Sequence, residues 1–429
     1  MFTPKRLDRA LSQRCDTSRY ASFLERANAG GSGDEARRRA ALGAYLVARL
    51  IDRRMSDDGM PEAADGLRWQ RESTLHYLRD LPADDGETPF LMRVAAAVDA
   101  ESPAALPRVR FALSEYATYL EFEGRLDEAL DALRLSATTW GEEVPPGEFS
   151  TAALFAGRLN RQLGRWESAG DSYRAAEDAA VTAGDRAAEL RARLGRAGVL
   201  RAMGQVAAAR PLIEGVIADA GDPGYLAPVL GLAYADLGAL LAQSGRPIEA
   251  IHATYEAYRH TPDRSQRIRI LGELGAGLAE LGAYAPARAA FEIVVSSSTG
   301  QLVRAWAWMG LMEIASAEGD RVGFERSRAA ATALAASLPP GVAADLGFRT
   351  AAGLARFGQF SRARAMWRDT LALANESGLD DWSRTIGRVL DHLDDCRARG
   401  GWVPDSPRPT PEVDALTADL HQLASLAGA

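Results

Sequence analysis

FAGRLNRQLGRWESAGDSYRAAEDAA, residues 155–180, holds one phrase that recurs along the chain: an apolar helix, a Gly, a short turn, and an Ala five residues after the Gly. The Gly residues are Gly124, Gly164, Gly204, Gly245, Gly282, Gly319 and Gly358, spaced by 40, 40, 41, 37, 37 and 39. The paired Ala residues are Ala129, Ala169, Ala209, Ala250, Ala287 and Ala363, with Phe324 at that place in the Gly319 unit. Four residues further stand Leu133, Tyr173, Ile213, Thr254, Phe291 and Trp367. Seven residues before the Gly stand Ala117, Gly157, Ala197, Gly238, Gly275 and Ala351, with Met312 as the exception.

Each position has a physical reason. A Gly ends the first helix because it accepts positive φ at no steric cost. The small residue on the first helix and the Ala on the second let two helices cross closely, and the bulky residue fills the groove to the next unit. Spacings of four and seven put these residues on one helical face. The phrases at 155–180, 234–259 (YADLGALLAQSGRPIEAIHATYEAYR) and 271–294 (LGELGAGLAELGAYAPARAAFEIV) resemble the tetratricopeptide repeat. That resemblance covers about 110–395. It implies an all-α, right-handed superhelical solenoid of antiparallel helix pairs. The units run 37 to 41 residues against the family's roughly 34, with the extra residues between units as in AVTAGDRAAELRARLG at 180–195. Lengthened units of this kind are similar to those of bacterial regulator sensor domains and cargo-adaptor light chains.

The ends read differently. Residues 1–109 are expected to form an irregular helical cap or small bundle, with a helix from Asp34 to about Arg54 that carries Leu42, Leu46 and Leu50 one turn apart. Further helices are expected through Leu81 and over 89–100, and a Gly59–Ala64 pair suggests one more degenerate unit. Residues 110–398 form the array of about seven units, 399–411 (RGGWVPDSPRPTP) a Pro/Gly-rich linker, and 412–429 an amphipathic helix with Val413, Leu416, Leu420, Leu423 and Leu426 on one stripe.

The chain carries 58 acidic and 50 basic residues, a net charge of −8, which gives no non-specific pull on nucleic acid. Nor is a compact basic helix pair present in 1–109 to read DNA. Lys5 is the single lysine, so no lysine stands inside the fold for a Schiff base or a phosphate loop. The arginine usage reads as coding bias of a GC-rich bacterial genome. Cys15 and Cys396 lie at opposite ends, implying no disulfide framework and fitting a reducing compartment. The N-terminus lacks a signal-peptide h-region, and the most apolar stretch, Leu226 to Leu241, is interrupted by Pro228 and Asp236. The expected location is therefore the cytoplasm, with no membrane partner.

No GxSxG, HExxH, phosphate loop or strand-linked GxGxxG is present, so the reading is a non-enzyme with no cofactor and no resident metal. His392 and Cys396 share one helix face, and no second ligand pair accompanies them. The expected partner is a protein or peptide, with an acidic segment, held on the concave face lined by the first helices. Counting back from each Gly puts Arg158, Arg161, Arg191, Arg201, Trp306, Arg349 and Arg356 on that face. Arginine forks grip carboxylates bidentately, yet such arginines also pair with acids on the adjacent helix, and both readings stay open. Trp308 is the expected core tryptophan. Trp306, two residues away, cannot share its face and is either an exposed anchor or packed at the next unit's edge. A peptide- or small-ligand-sensing regulator and a helical accessory subunit of an enzyme remain alternatives to the scaffold.

Overall fold

The computed structural model describes residues 2–11, 20–28, 35–56, 61–82, 86–98, 105–221, 224–298, 300–335 and 339–398. All regular structure among them is helical. The proposed linker and amphipathic helix at 399–429, and the Gly59 of the suggested extra unit, lie outside the described residues. The chain comprises two compact units, Met1–Val216 and Ile217–Ala429.

Unit 1 begins with α1 (Pro4–Leu11), α2 (Ala21–Asn28), α3 (Glu35–Met55), α4 (Pro61–Arg79) and α5 (Thr88–Ala97). Repeat hairpins follow: α6 (Ala105–Phe122) with α7 (Leu126–Thr138), α8 (Pro146–Gln162) with α9 (Trp166–Ala183), and α10 (Arg186–Ala202) before α11 (Val206–Ala220). Unit 2 holds α12 (Ala227–Gln243) with α13 (Pro247–His260), α14 (Arg264–Glu280) with α15 (Tyr284–Ser297), α16 (Gln301–Glu318) with α17 (Arg321–Ala335), α18 (Pro340–Arg356) with α19 (Phe360–Glu376), and a last helix, α20 (Asp380–Ala398).

The seven turn glycines all adopt the left-handed conformation, with φ between 69° and 78°. The residue after each Gly donates its N–H back to the carbonyl four residues before the Gly. Arg125 to Leu120 (2.8 Å), Arg165 to Asn160 (2.8 Å) and Gln359 to Leu354 (2.9 Å) are three instances. This is the Schellman closure, which satisfies carbonyls that a helix end would leave orphaned.

The bulky second-helix residue is a wedge between two first helices. A Cβ on Gly157 would stand 2.8 Å from the Tyr173 ring, and one on Gly195 of the next unit would overlap the same ring. Phe291 sits in the same way between Gly275 and Gly310. Gly195 and Gly310 occupy the same register, nine residues before their turn glycines. In the exceptional Gly319 unit, Phe324 replaces the usual Ala and is fully buried. Its ring fills the space where Gly353 of α18 would carry a Cβ. The loss of one small residue is thus offset by another on the facing helix.

Two helices differ from what leucine spacing and chain interruptions alone suggest. On α3, Leu42 is exposed and Leu46 half-buried; the buried stripe is Ala40, Ala41, Ala44, Val47, Ala48 and Ile51, with Leu50 also buried. Alanines make that face because α3 packs closely on its neighbours: a Cβ on Gly43 would come within 2.9 Å of Leu78. The stretch Gly224–Gln243 is also long and apolar enough, by length and composition, to cross a membrane. Pro228 falls in the first turn of α12, where it does not interrupt the helix. That helix pairs along its length with α13, Gly238 lying against Thr254.

The N-terminal helices are tied to the repeats by polar contacts as well as by a continuous apolar core. Helix α1 packs against α7, α8 and α9. Arg134 bonds Asp8 (3.2 Å), Ser172 Oγ donates to the Ala10 carbonyl (2.6 Å), and Val144 N–H donates to the Phe2 carbonyl (2.8 Å). Asp131 accepts from the Ser22 N–H (3.0 Å) and Oγ (2.5 Å), so a side chain from α7 caps the start of α2. Glu87 is buried and receives both Arg125 (2.7 and 2.8 Å) and Arg26 (3.0 and 3.1 Å), with Tyr116 donating to the same carboxylate. Glu128 closes the cluster on Arg125 and Arg26.

Two of these carboxylates are displaced in opposite directions. Burial pushes Glu87 up, but Arg125 and Arg26 outweigh it and hold the carboxyl at about 2. Burial pushes Asp131 up to about 6 against the opposing pull of Ser22 and Arg134. By linkage, the Glu87 contribution is full above its unfolded value of about 4.5 and is lost as pH falls toward 2. The Asp131 contribution is full below about 3.8 and is lost as pH rises through 6. The stability difference between wild type and Glu87→Gln should therefore shrink on acidification below about pH 4.5. For Asp131→Asn the wild-type advantage should shrink between about pH 4 and 6 as pH rises. Urea unfolding across pH 2–7 reads both. The wedge has its own test. Gly195→Ala should lower stability by about 1–3 kcal/mol through overpacking, despite the helix-propensity gain of up to about 1 kcal/mol. A Tyr173→Leu change in the same background should recover part of that loss in thermal denaturation.

Candidate partner-binding face

The first helices of neighbouring repeats touch one another: α8 with α10 in unit 1, and α14 with α16 and α16 with α18 in unit 2. Side chains in the inward register lie along that seam. The two units use them differently.

In unit 1, Arg158 is committed to Glu121 of α6. Its Nε and Nη2 bond the two carboxylate oxygens at 2.8 and 2.7 Å, and Gln162 adds a third bond at 2.7 Å. The same guanidinium stands over the Phe155 ring, 4.6 Å from its centroid. Arg161 is half-buried, with Cδ 3.7 Å from where Gly198 of α10 would carry a Cβ. It has no acid partner among the described residues. Arg191, at the start of α10, is exposed and likewise has none. Arg201 is half-buried on α10. Arg191 and Gly198, over which Arg161 lies, are seven residues apart, or about 10 Å along the helix. Helix α6 adds Phe111 and Phe122 in this register, 67% and 88% exposed. Exposed rings of this size are the signal that counting arginines missed. Both fall at the inward offsets, thirteen and two residues before Gly124.

In unit 2 the charges close on themselves. Arg349 bonds Glu313 of α16 (2.6 Å) and Asp345 (2.7 Å). Burial opposes its charge, but these two carboxylates prevail and raise its pKa above the ordinary arginine value. Arg356 donates to Ser316 Oγ (2.8 Å) and lies 3.7 Å from Glu313. Arg269 pairs with Glu273. Three of the inward positions in unit 2 are thus occupied by ion pairs. Trp306 is 48% exposed, while Trp308 packs against buried side chains of the core. His392 is exposed on α20, and the Cys396 side chain falls outside the described ones.

The sequence register thus places all seven residues on first helices. The structure leaves Arg161 and Arg191 without acid partners among the described residues and leaves Trp306 exposed. Arg158, Arg349 and Arg356 are engaged within the chain. Pairs as exposed as Arg158–Glu121 are worth about 0–1 kcal/mol, so they fix side-chain geometry more than they stabilise the fold.

No family model matches the chain, and no curated protein matches it. Among solved structures, a Rap protein complexed with competence and sporulation factor is 12% identical, over 84% of this chain and 99% of that one, with a TM-score of 0.41. The Rap conjugation gene regulator of plasmid pLS20, in complex with the Phr* peptide, is 13% identical over 78% of this chain and 97% of that one, at 0.48. The apo quorum sensor NprR from B. thuringiensis is 11% identical over 82% of this chain and 92% of that one, at 0.47. At such scores the tetratricopeptide-like fold rests on the repeat geometry of this chain.

The pairing makes a prediction about stability. Arg158→Glu sets two carboxylates together and should cost up to about 1 kcal/mol. Arg191→Glu should stay within about 0.5 kcal/mol of wild type. Parallel denaturant titrations compare the two directly.

Proposed function

We propose that the chain is a non-catalytic docking protein that holds an acidic, partly apolar segment of a protein or peptide on the first-helix face of unit 1. The observation that carries this is the contrast on that face: Arg158 is paired with Glu121, while Arg161 and Arg191 have no acid partner among the described residues, and α6 presents the exposed rings of Phe111 and Phe122 at inward offsets. Unpaired guanidinium forks favour carboxylates, and exposed rings provide the rigid apolar area on which interfaces depend.

The separation of about 10 Å along α10 specifies the segment further. Two acids seven residues apart on a ligand helix span the same distance, as do two acids three apart on an extended ligand at about 3.3 Å per residue. An acidic chain with a local arginine pair also selects against nucleic acid, whose phosphates would meet its general negative field. Two distant cysteines accord with a reducing, cytoplasmic setting.

The test is fluorescence anisotropy with peptides that carry two Glu and an aromatic residue at these spacings, against Gln-substituted copies. Acidic peptides should bind the chain, and Arg161→Glu/Arg191→Glu should weaken them at least tenfold. The Arg349→Ala change in unit 2 should leave the affinity unaltered. Equal binding of Glu and Gln peptides would end the proposal.

A further inference from the structure

A guanidinium has hydrogen-bonding edges and two flat faces, and a partner can use either. In Arg158 the Nε–Nη2 edge is taken by both carboxylate oxygens of Glu121, at 2.8 and 2.7 Å. Gln162 donates to the same carboxylate at 2.7 Å, so the acid is itself held in place. One face of the guanidinium lies over Phe155, three residues earlier on α8, 4.6 Å from the ring centroid. Bidentate bonding fixes the plane of the group, and the ring supports it from one side. The Arg158 side chain nevertheless stays 49% exposed.

With that edge bonded and one face covered, the opposite face is the flat surface left open. A ligand acid arriving there would meet the Glu121 charge as well as the cation, whereas an aromatic ring is attracted to the cation alone. Arg110 of α6 makes this kind of contact within the chain. Its guanidinium stands 3.6 Å from the Trp140 ring centroid while Nη1 donates to the Thr139 carbonyl.

The contact between Arg161 and Gly198 sets the level of this face against the two arginines without acid partners. Helices α8 and α10 run the same way, since each packs antiparallel on α9. Because Arg161 lies over Gly198, Arg158 is level with Gly195, three residues or about 4.5 Å nearer the N-terminal end. Arg191 lies four residues further, about 6 Å in the same direction. The order along the face is an open fork, a flat cation and a second open fork. On a helical ligand, offsets of three and seven residues fall on one stripe.

Building on the acidic docking face proposed above, we propose that Arg158, fixed by Glu121 and Phe155, receives an aromatic side chain of the ligand. The ligand is then a helix with an acid at i, a ring at i+3 and an acid at i+7, the acids meeting Arg161 and Arg191. Glu121 is the residue that sets this specificity: it withdraws Arg158 from acid recognition and leaves it to the ring.

Fluorescence anisotropy on the full chain tests this with labelled, Ala-rich helical peptides that carry Glu at i and i+7. They differ in one further residue: Phe, Leu or Glu at i+3, or Phe moved to i+5 on the far side of the helix. Wild type should bind the i+3 Phe peptide about two- to fivefold tighter than the Leu peptide or the i+5 Phe peptide. Arg158→Met keeps the apolar stem and removes the flat cation. It should abolish that preference while binding still depends on the two Glu residues. Glu121→Gln opens the fork and should reverse the order, the three-Glu peptide binding about fivefold tighter than the Phe peptide. Equal binding of the i+3 Phe and Leu peptides to wild type would overturn the ring site. So would a preference for Phe that survives Arg158→Met, or no gain for the three-Glu peptide in Glu121→Gln. Each of these outcomes leaves acid recognition standing. Equal binding of peptides with Glu and with Gln at i and i+7 would instead end the docking reading, and the ring site with it.

Discussion

The structure depends on one close approach: an aromatic ring on a second helix, clamped between two first helices that lack side chains where the ring must go. Tyr173 between Gly157 and Gly195, and Phe291 between Gly275 and Gly310, set both the spacing within a hairpin and the spacing to the next one. A ring is incompressible and interiors are close-packed, so each wedge fixes the distance at which neighbouring first helices present their inward side chains. The inward register is therefore a consequence of core packing. Where Phe324 takes the place of the usual Ala, the empty volume moves to Gly353 of the facing helix.

Much of this was legible in the sequence because a repeat states its rule several times. Seven turn glycines, the small residue before them and the bulky residue after them predicted hairpins that the structure contains. What stayed hidden was the partner of each wedge in the next unit. Gly195 and Gly310 lie in the variable stretch between phrases, and only two repeats use a glycine at that position with an aromatic wedge. On α3 the buried face follows close helix approach, which selects alanines over the leucine spacing visible in the sequence.

The candidate face was legible in position and less so in state. Counting back from each Gly found the arginines, yet whether a guanidinium is committed depends on an acid some forty residues away, as Glu121 is to Arg158 and Glu313 to Arg349. Charge pairing between helices has no local signature. The rings Phe111 and Phe122 obeyed the offset rule and were passed over because aromatic residues on a helix ordinarily enter a core. Their exposure becomes visible only once the buried stripe of α6 (Val109, Ala112, Leu113, Tyr116, Ala117 and Leu120) is known.

The way α1 and α2 are held has a consequence for helix formation. Their polar partners are Glu87, Glu128, Asp131, Arg134, Ser172 and Asp178, the last of them 172 residues beyond Arg6. Helix α2 packs on α3 and α7, whereas the seat of α1 is complete only with the second hairpin of the array. A helix of eight residues is not stable alone in water, so α1 owes its helical form to its seat on α7, α8 and α9. Helix α1 thus depends on more distant chain than any other helix of unit 1, and its seating requires that the rest of its cleft be in place.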